Sequence, residues 1–152
     1  MAEIRTLEPE EWEFWDRWMH AQRLLVRELE RGLQRDCGIS KAEFSVLVTL
    51  WRTAGHEMRV SDLVDSLGWE KSRVSHQLTR MEKRGFVKDT QSGAGGRRTR
   101  IGLTAQGRQV AQDAIGTHAG NVRRHFFDSL TPEQAVTMRA WSAQTIERIG
   151  NS

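Results

Sequence analysis

The sequence predicts a mainly α-helical fold that carries one small β-hairpin. Three observations support this class: apolar residues recur at helical spacing over most of the chain, polar caps mark several helix starts, and a glycine-rich segment separates two short strand-like runs. The 152 residues are enough for one domain with a hydrophobic core. The predicted order is helix, helix, short strand, helix, helix, hairpin, helix, helix.

The first predicted helix, from Glu10 to about Arg35, is apolar on two faces. One face carries Trp12, Trp15, Met19, Val26, Leu29 and Leu33, and the other carries Phe14, Trp18, Ala21 and Leu25. A helix with two apolar faces needs two partners, and a small domain can supply only one of them. We therefore favour a second copy of the chain as the other partner over coverage of both faces within one monomer.

A capping box starts the second helix. The segment Ser40-Lys41-Ala42-Glu43 has the required spacing, and Ile39 with Phe44 fits a hydrophobic staple around it. The apolar pattern continues through Trp51, and the helix is expected to stop near Gly55.

A short strand and a short helix follow. Residues 58–60, Met-Arg-Val, predict the strand, and Ser61 is expected to cap a helix over residues 62–67. Gly68 then ends that helix, because glycine adopts the left-handed conformation that follows many helices.

The next helix, within residues 70–87, has one narrow apolar stripe. Val74, Leu78 and Met81 follow the i, i+4, i+7 spacing, and Gly85 fits the left-handed position after the helix. The remaining surface is rich in hydrogen-bond donors that fit phosphates or base edges: Lys71, Ser72, Arg73, Ser75, His76, Gln77, Thr79 and Arg80. Two short helices joined around a glycine, the second exposing donors, form the pattern of a helix-turn-helix.

Three glycines occur in the four residues 93–96, and Arg97 and Arg98 follow them directly. A glycine loop that binds nucleotide phosphates needs a strand before it and a helix after it. Here residues 99–103 alternate as a strand does, and no Gly-Lys-Ser or Gly-Lys-Thr follows, so the segment predicts a β-hairpin. A tip without side chains can enter a minor groove about 6 Å wide while Arg97 or Arg98 contacts its negative potential.

Two long helices complete the chain. Thr104 is expected to cap a helix from Ala105 to about Phe127. The segment Thr131-Pro132-Glu133-Gln134 has a cap, a proline at the first helical position and a glutamine at the third. It therefore starts a final helix that extends to about Ile149.

The positive charge is concentrated in one fifth of the chain. The net charge is +3, yet residues 69–100 hold nine basic and three acidic side chains, a net of +6, and the other residues sum to −3. Such segregation indicates a polyanionic partner, either nucleic acid or an anionic membrane surface. The membrane alternative is disfavoured because the apolar stripe of the donor-rich helix is narrow and is needed for the core.

Other functional classes find little support. No apolar run reaches the length of a membrane span and the N-terminus is acidic, which predicts a cytoplasmic protein. The chain has no Gly-x-Ser-x-Gly motif and no usable phosphate loop, so we expect no enzyme activity. We also expect no metal and no cofactor, because the five histidines do not form a recognisable ligand set: His20, His56, His76, His118 and His125.

The segment from Val60 to Gly107 resembles the winged helix-turn-helix core of the MarR family of bacterial transcriptional regulators. The matching motifs are Arg80-Met81-Glu82-Lys83-Arg84-Gly85 and Leu103-Thr104-x-x-Gly107, and the six-helix order also fits. The resemblance implies a DNA-binding region at residues 38–104, with helical dimerisation regions at 1–37 and 105–152. It further implies a homodimer that binds a palindromic operator in double-stranded DNA, represses nearby genes and is released by a small-molecule effector or an oxidant.

The resemblance also implies roles for individual residues. Bases would be contacted by Ser72, Arg73, Ser75, His76 and Gln77, and phosphates by Lys71, Thr79 and Arg80. Arg97 matches the wing arginine of the family, whose wings commonly carry an aspartate two residues earlier, where this chain has Gly95. Arg97 is then either mobile until DNA binds, or Arg98 shares its role.

Effector pockets in this family lie where the dimerisation helices meet the DNA-binding region. An aromatic pocket is therefore expected from Trp15, Trp18, His20, Phe44 and Trp51, and the alternative is that these side chains are plain core.

Two functional alternatives stay open. An oxidant-sensing regulator would use Cys37, but the peroxide-sensing branch of the family has its cysteine near the start of the first helix, with tyrosines nearby. Here Cys37 is at the end and the chain has no tyrosine, which favours an inert thiol. A winged-helix module that binds protein would instead need an acidic or apolar face on the second short helix.

Overall fold

The computed structural model describes residues 6–151, which form six α-helices and a three-stranded sheet, and it confirms the predicted mainly α fold with its hairpin. The helices are α1 Pro9–Cys37, α2 Lys41–Trp51, α3 Val60–Leu67, α4 Lys71–Lys83, α5 Ala105–His125 and α6 Pro132–Gly150. The strands are β1 Glu57–Arg59, β2 Val87–Ser92 and β3 Arg98–Leu103. Residues 1–5 and 152, which belong to the predicted dimerisation regions, lie outside the described residues.

Both predicted capping boxes are present. Ser40 Oγ accepts a hydrogen bond from the Glu43 amide at 3.1 Å, and the Ser40 amide donates to Glu43 Oε1 at 3.0 Å. Thr131 and Gln134 make the same reciprocal pair at the start of α6. These side chains satisfy amides that a helix start leaves without partners, which explains why α2 and α6 begin where the sequence predicts.

The start of α3 differs from the prediction. Helix α3 begins at Val60 with Arg59 in the cap position, and Ser61 lies inside the first turn. The reason is the sheet: β1 pairs antiparallel with β3 as far as Arg59, opposite Arg100. Because the strand ends there, the helix starts directly after it, one residue before the expected cap.

The described residues form two compact units. We call residues 30–119 the lobe, and residues 6–29 with 120–151 the helical unit. The lobe contains a closed hydrophobic core in which the largest fully buried side chains come from α1 to α4, from the connection between α1 and α2, and from β3: Leu33, Ile39, Val46, Leu47, Leu50, Leu63, Val74, Leu78, Met81 and Ile101. The strand order is β1-β3-β2, so β3 lies at the centre of the sheet and contributes Ile101 and Leu103 to the core.

The start of α5 lies against the turn after α4. Thr104 caps α5 as predicted, because its Oγ1 accepts a hydrogen bond from the Gly107 amide at 2.9 Å. A Cβ on Gly107 would collide with the backbone carbonyl of Phe86, so glycine is required there for close approach. This contact places the hairpin, which runs between Phe86 and Thr104, directly beside the end of α4.

Candidate nucleic-acid interface

Helix α4 is held in the lobe by the stripe that its spacing predicts. Val74, Leu78 and Met81 are fully buried. The helix ends in the predicted left-handed turn: Gly85 has φ +78°, and the Phe86 amide donates to the Met81 carbonyl at 3.0 Å. The opposite face of α4 is therefore presented to solvent on a fixed support.

Seven of the ten predicted DNA-contacting side chains lie exposed: Lys71, Ser72, Arg73, Ser75, His76, Arg80 and Arg97. Six of them are on α4, and the last is at the tip of the hairpin. The guanidinium carbon of Arg73 lies 4.0 Å from the ring centre of Trp69, which itself packs on the core. This cation–π contact supports the interpretation that Trp69 is a packing residue and holds Arg73 in place.

The other three predicted contacts are used inside the protein. Gln77 is only 4% exposed, and its Oε1 accepts a hydrogen bond from Arg80 Nη2 at 2.8 Å. Thr79 is half-buried, and its hydroxyl donates to the Ser75 carbonyl and accepts from Arg98. Gln77 and Thr79 are thus engaged within the lobe, and their expected contacts with a base and with a phosphate stay predictions.

The hairpin is a wing formed by β2, β3 and the tip between them, as the alternating pattern predicts. The tip residues Gly95 and Gly96 both have positive φ, +72° and +74°, which favours glycine. The Gly93 amide donates to the Arg97 carbonyl at 2.6 Å and closes the tip. Arg97 is exposed and has no ion-pair partner among the described residues.

Arg98 differs sharply from Arg97. Its Nε and Nη2 donate to the two carboxylate oxygens of Glu82 at 2.8 and 3.0 Å, and Nη2 also donates to Thr79 Oγ1 at 3.0 Å. Asp89 Oδ1 on β2 lies 3.3 Å from Arg98 Nε. We call these four residues, Thr79, Glu82, Asp89 and Arg98, the Arg98 cluster. The guanidinium of Arg98 is thus occupied within the protein, and a role shared with Arg97 stays a prediction.

The carboxylates of the Arg98 cluster influence each other. The hydrogen bonds from Arg98 lower the pKa of Glu82. Partial burial, then the hydrogen bond and charge of Glu82, raise the pKa of Asp89, and the hydrogen bond to Glu82 raises the pKa of Arg98. Glu82 is therefore the principal ionic partner of Arg98, and Asp89 is the more easily protonated of the two acids.

A groove separates α3 and the start of α4 from the wing, with a cavity volume of about 640 Å³. Its cationic lining residues are Arg59, Lys71, Arg97, Arg98 and Arg100. Arg100 donates to Glu57 Oε1 at 3.2 Å, whereas Arg59 is exposed. Arg59 is not among the predicted contacts, although a basic residue directly before α3 is a signal for a charge at this edge.

The predicted aromatic pocket residues are divided between the two units. In the helical unit, Trp18 makes an edge-on contact with Trp141 at 6.2 Å between ring centres, while Trp15 and His20 are exposed. In the lobe, Phe44 lies 4.7 Å from His118 and Trp51 stacks on His56 at 4.7 Å. The aromatic pocket stays a prediction.

Other candidate chemistry is sparse in residues 6–151. Cys37 is a half-buried free thiol, and no group of three or more His, Cys, Asp or Glu side chains among these residues is placed to hold a metal ion. None of the helices in this part of the chain combines the length and apolar character that a bilayer span requires.

A donor-rich helix anchored beside an arginine-bearing hairpin defines a winged helix-turn-helix protein of the DNA-binding class. Residues 39–98 match the model of the MarR family. The chain is 32% identical to AbsC, a MarR family transcriptional regulator from Streptomyces coelicolor, over 98% of this chain and 100% of that one, with a TM-score of 0.83.

The chain is also similar to Sco3205, a MarR family transcriptional regulator from Streptomyces coelicolor whose structure is a complex with DNA. The two are 31% identical over 98% of this chain and 93% of that one, with a TM-score of 0.82. A search of curated protein sequences found no match. The identity and coverage of the two structures show that the chain belongs to the MarR family of transcriptional regulators.

Proposed function

We propose that the chain represses nearby genes by binding a palindromic operator as a homodimer, and that a small-molecule effector releases it. The observation that carries the proposal is the exposed donor face of α4 beside the exposed Arg97 of the wing, across a cationic groove. A major groove admits one α-helix, and the narrow minor groove attracts arginine. Helix and wing are therefore suited to adjacent grooves of one duplex.

The exposed residues divide into three roles in this proposal. Base edges are contacted by Ser72, Arg73, Ser75 and His76, phosphates by Lys71 and Arg80, and the minor groove by Arg97. Hydroxyl, imidazole and guanidinium groups can discriminate bases by hydrogen bonding, whereas contacts to phosphate contribute affinity without discrimination.

Support for a homodimer comes from the helical unit, which exposes large apolar side chains on both α1 and α6. Phe14 is 73% exposed, Val136 and Ile146 are each 71% exposed, and Trp12 and Trp141 are about half exposed. An apolar surface of this kind marks an interaction site rather than an ordinary solvated face. A second copy that covers it with the same surface forms a two-fold dimer, which presents two α4 helices to a palindrome.

The operator itself provides the main test. Random duplex fragments are cut with the purified protein bound, and the protected fragments are sequenced. We expect a pseudo-palindrome whose half-site centres are about one helical turn, roughly 10 base pairs, apart. Protection of a single half-site by a monomer would contradict the dimer, and no protection of any duplex in dilute salt would contradict DNA binding.

The effector part of the proposal rests on the family resemblance and on the aromatic set Trp15, Trp18, His20, Phe44 and Trp51. Three of the six tryptophans, Trp15, Trp18 and Trp51, belong to this set and the chain has no tyrosine, so half of the fluorescent side chains are in the set. We expect at least one compound in a panel of small aromatic acids and phenols to quench the fluorescence saturably. The same compound should weaken DNA binding, since the coupling between an effector site and the DNA site is reciprocal. A panel in which quenching and DNA affinity never change together would remove the effector from the proposal.

A further inference from the structure

The outer half of the wing has few attachments to the lobe. As whole residues, 88–92 and 94–97 are exposed, and the buried apolar residues of the hairpin lie at its base, at Val87, Ile101 and Leu103. A two-stranded hairpin is only marginally stable by itself. The position of the outer wing therefore depends on polar contacts, which are the bonds of Arg98 to α4 and the bond of Arg100 to β1.

We propose that Arg98 is a positioning residue that fixes the wing against α4, so that helix and wing meet adjacent grooves of the duplex at a set separation. The inference rests on the proposed DNA-binding function and assigns a role to the Arg98 cluster within it. Arg98 makes a bidentate pair with Glu82 on α4, at 2.8 and 3.0 Å, and lies 3.3 Å from Asp89 on the other wing strand. A planar guanidinium fixes both distance and angle in such a pair.

The charge of the Arg98 cluster argues against a direct contact with DNA. One guanidinium faces two carboxylates, so the cluster sums to −1 when all three groups are ionised. Phosphates are repelled by a negative cluster, and the side chain of Arg98 is only 21% exposed. The neighbouring Arg97 is exposed and is the wing arginine that remains for DNA. The two successive arginines therefore have different tasks.

Removal of the Glu82 carboxylate distinguishes a positioning role from a simple effect of charge, because the two predict opposite changes in operator affinity. The substitution Glu82→Gln makes each chain more positive by one charge, and charge alone would tighten binding to any duplex. If Glu82 acts through Arg98 on the wing, binding to the operator weakens instead. We expect operator affinity to fall about tenfold while binding to a scrambled duplex of equal length is unchanged or tighter.

Two matched variants complete the experiment. Glu70→Gln removes an exposed acid at the start of α4, for which the structure describes no ion pair, and it is expected to leave operator affinity unchanged or to raise it. Arg98→Lys keeps the charge but loses the bidentate geometry. We expect it to weaken operator binding about as much as Glu82→Gln does.

Footprints give a readout that mere destabilisation does not change. Hydroxyl-radical protection of the minor groove under the wing is expected to be lost in Glu82→Gln and Arg98→Lys, while methylation protection of the major groove under α4 persists. Thermal unfolding of each variant shows that the measured protein is folded, and if Glu82→Gln does not fold, Arg98→Lys decides the outcome.

The positioning role would be overturned if Glu82→Gln bound the operator more tightly, as Glu70→Gln is allowed to do, and kept the wing footprint. Retention of the footprint and of operator affinity in Arg98→Lys would overturn it as well. Wild-type protein that protects no duplex would instead contradict the proposed function, so the two failures are distinguishable.

Discussion

The lobe and the helical unit treat their large apolar side chains in opposite ways. In the lobe, residues 30–119, every large apolar side chain is buried or half-buried. In the helical unit, residues 6–29 and 120–151, every such side chain is half-buried or exposed, and Phe14, Val136 and Ile146 are more than 70% exposed. One chain thus contains a closed core and an open apolar surface.

The difference follows from how each unit is built. The lobe combines the three short helices α2, α3 and α4 with a sheet and with parts of α1 and α5, and these elements enclose a core from several directions. The helical unit consists of long helices, and each helix can cover only one stripe of its neighbour. The dimer proposed above would cover its exposed surface, whereas the core of the lobe is closed within one chain. Stability in the lobe should be independent of protein concentration, and stability in the helical unit should depend on it.

The largest expected effect comes from the lobe core. Leu63 on α3 is fully buried, so Leu63→Ala leaves a cavity and should lower the free energy of unfolding by about 2–5 kcal/mol. Urea denaturation at two protein concentrations measures this loss of unfolding free energy. The loss should be equal at both, and Leu63→Met, which keeps the volume, should cost less than about 1.5 kcal/mol. A loss below 1 kcal/mol would mean that the core is looser than its burial indicates.

The second effect concerns the open surface of α6. Ile146→Asp places a charge where a second copy is proposed to pack, and the dimer dissociation constant should rise about thirtyfold, or about 2 kcal/mol. Sedimentation equilibrium measures the constant. Gln144→Asp is the matched control, because two residues along a helix point to nearly opposite sides. Equal effects of both variants would show that Ile146 is not at the interface.

The third effect concerns the interface with DNA. Arg97→Ala should weaken binding to duplex DNA about tenfold in 0.1 M salt without a change in the unfolding temperature, since Arg97 is exposed and makes no ion pair in the lobe. The slope of log affinity against log salt should fall by about one for each wing bound. Arg52→Ala removes the same charge from an exposed position at the end of α2 and serves as the control. Unchanged affinity of Arg97→Ala in a mobility-shift titration would refute the contact.

The smallest effect is a pH dependence within the lobe. Burial lowers the pKa of His118, whose ring packs on Phe44 and whose Nδ1 has no hydrogen-bond partner among the described residues. The unfolded chain then binds a proton at His118 more readily than the folded chain does. The stability that depends on a neutral His118 is therefore fully present above the ordinary pKa of 6.5 and is lost as the pH falls below 6.5.

The unfolding temperature should therefore drop between pH 7.5 and 5.5, and His118→Gln should reduce that drop by less than about 4 °C. A steeper drop in His118→Gln than in the wild type would reverse the assignment.

Much of the fold could be predicted because the signals are local. A cap such as Ser40 with Glu43 depends on residues three apart, and the left-handed turn at Gly85 depends on the conformational freedom of glycine. The buried stripe of α4 follows from helical periodicity. Gln77 could have been recognised from the same rule, since it lies three residues after Val74 and four before Met81, on the edge of that stripe.

The Arg98 cluster was less accessible from sequence. Glu82 and Asp89 are two of only three acids among residues 69–100, and an acid retained in a basic segment is a signal for a structural ion pair. Which of the arginines pairs with them is not a local property, because Glu82 and Arg98 are 16 residues apart. Their contact depends on how the wing folds back towards α4.

The sequence by itself determined the starts of α2, α5 and α6, the hairpin, the buried stripe of α4 and the segregation of charge, because these features depend on residue types and on spacings of a few positions. Only the tertiary structure decided which donors remain available to a ligand. Hydrogen-bond geometry requires atoms within about 3 Å, and that distance is set by packing between elements far apart in the chain. Arg97 and Arg98 are adjacent in sequence, yet packing leaves the first exposed and commits the second to Glu82.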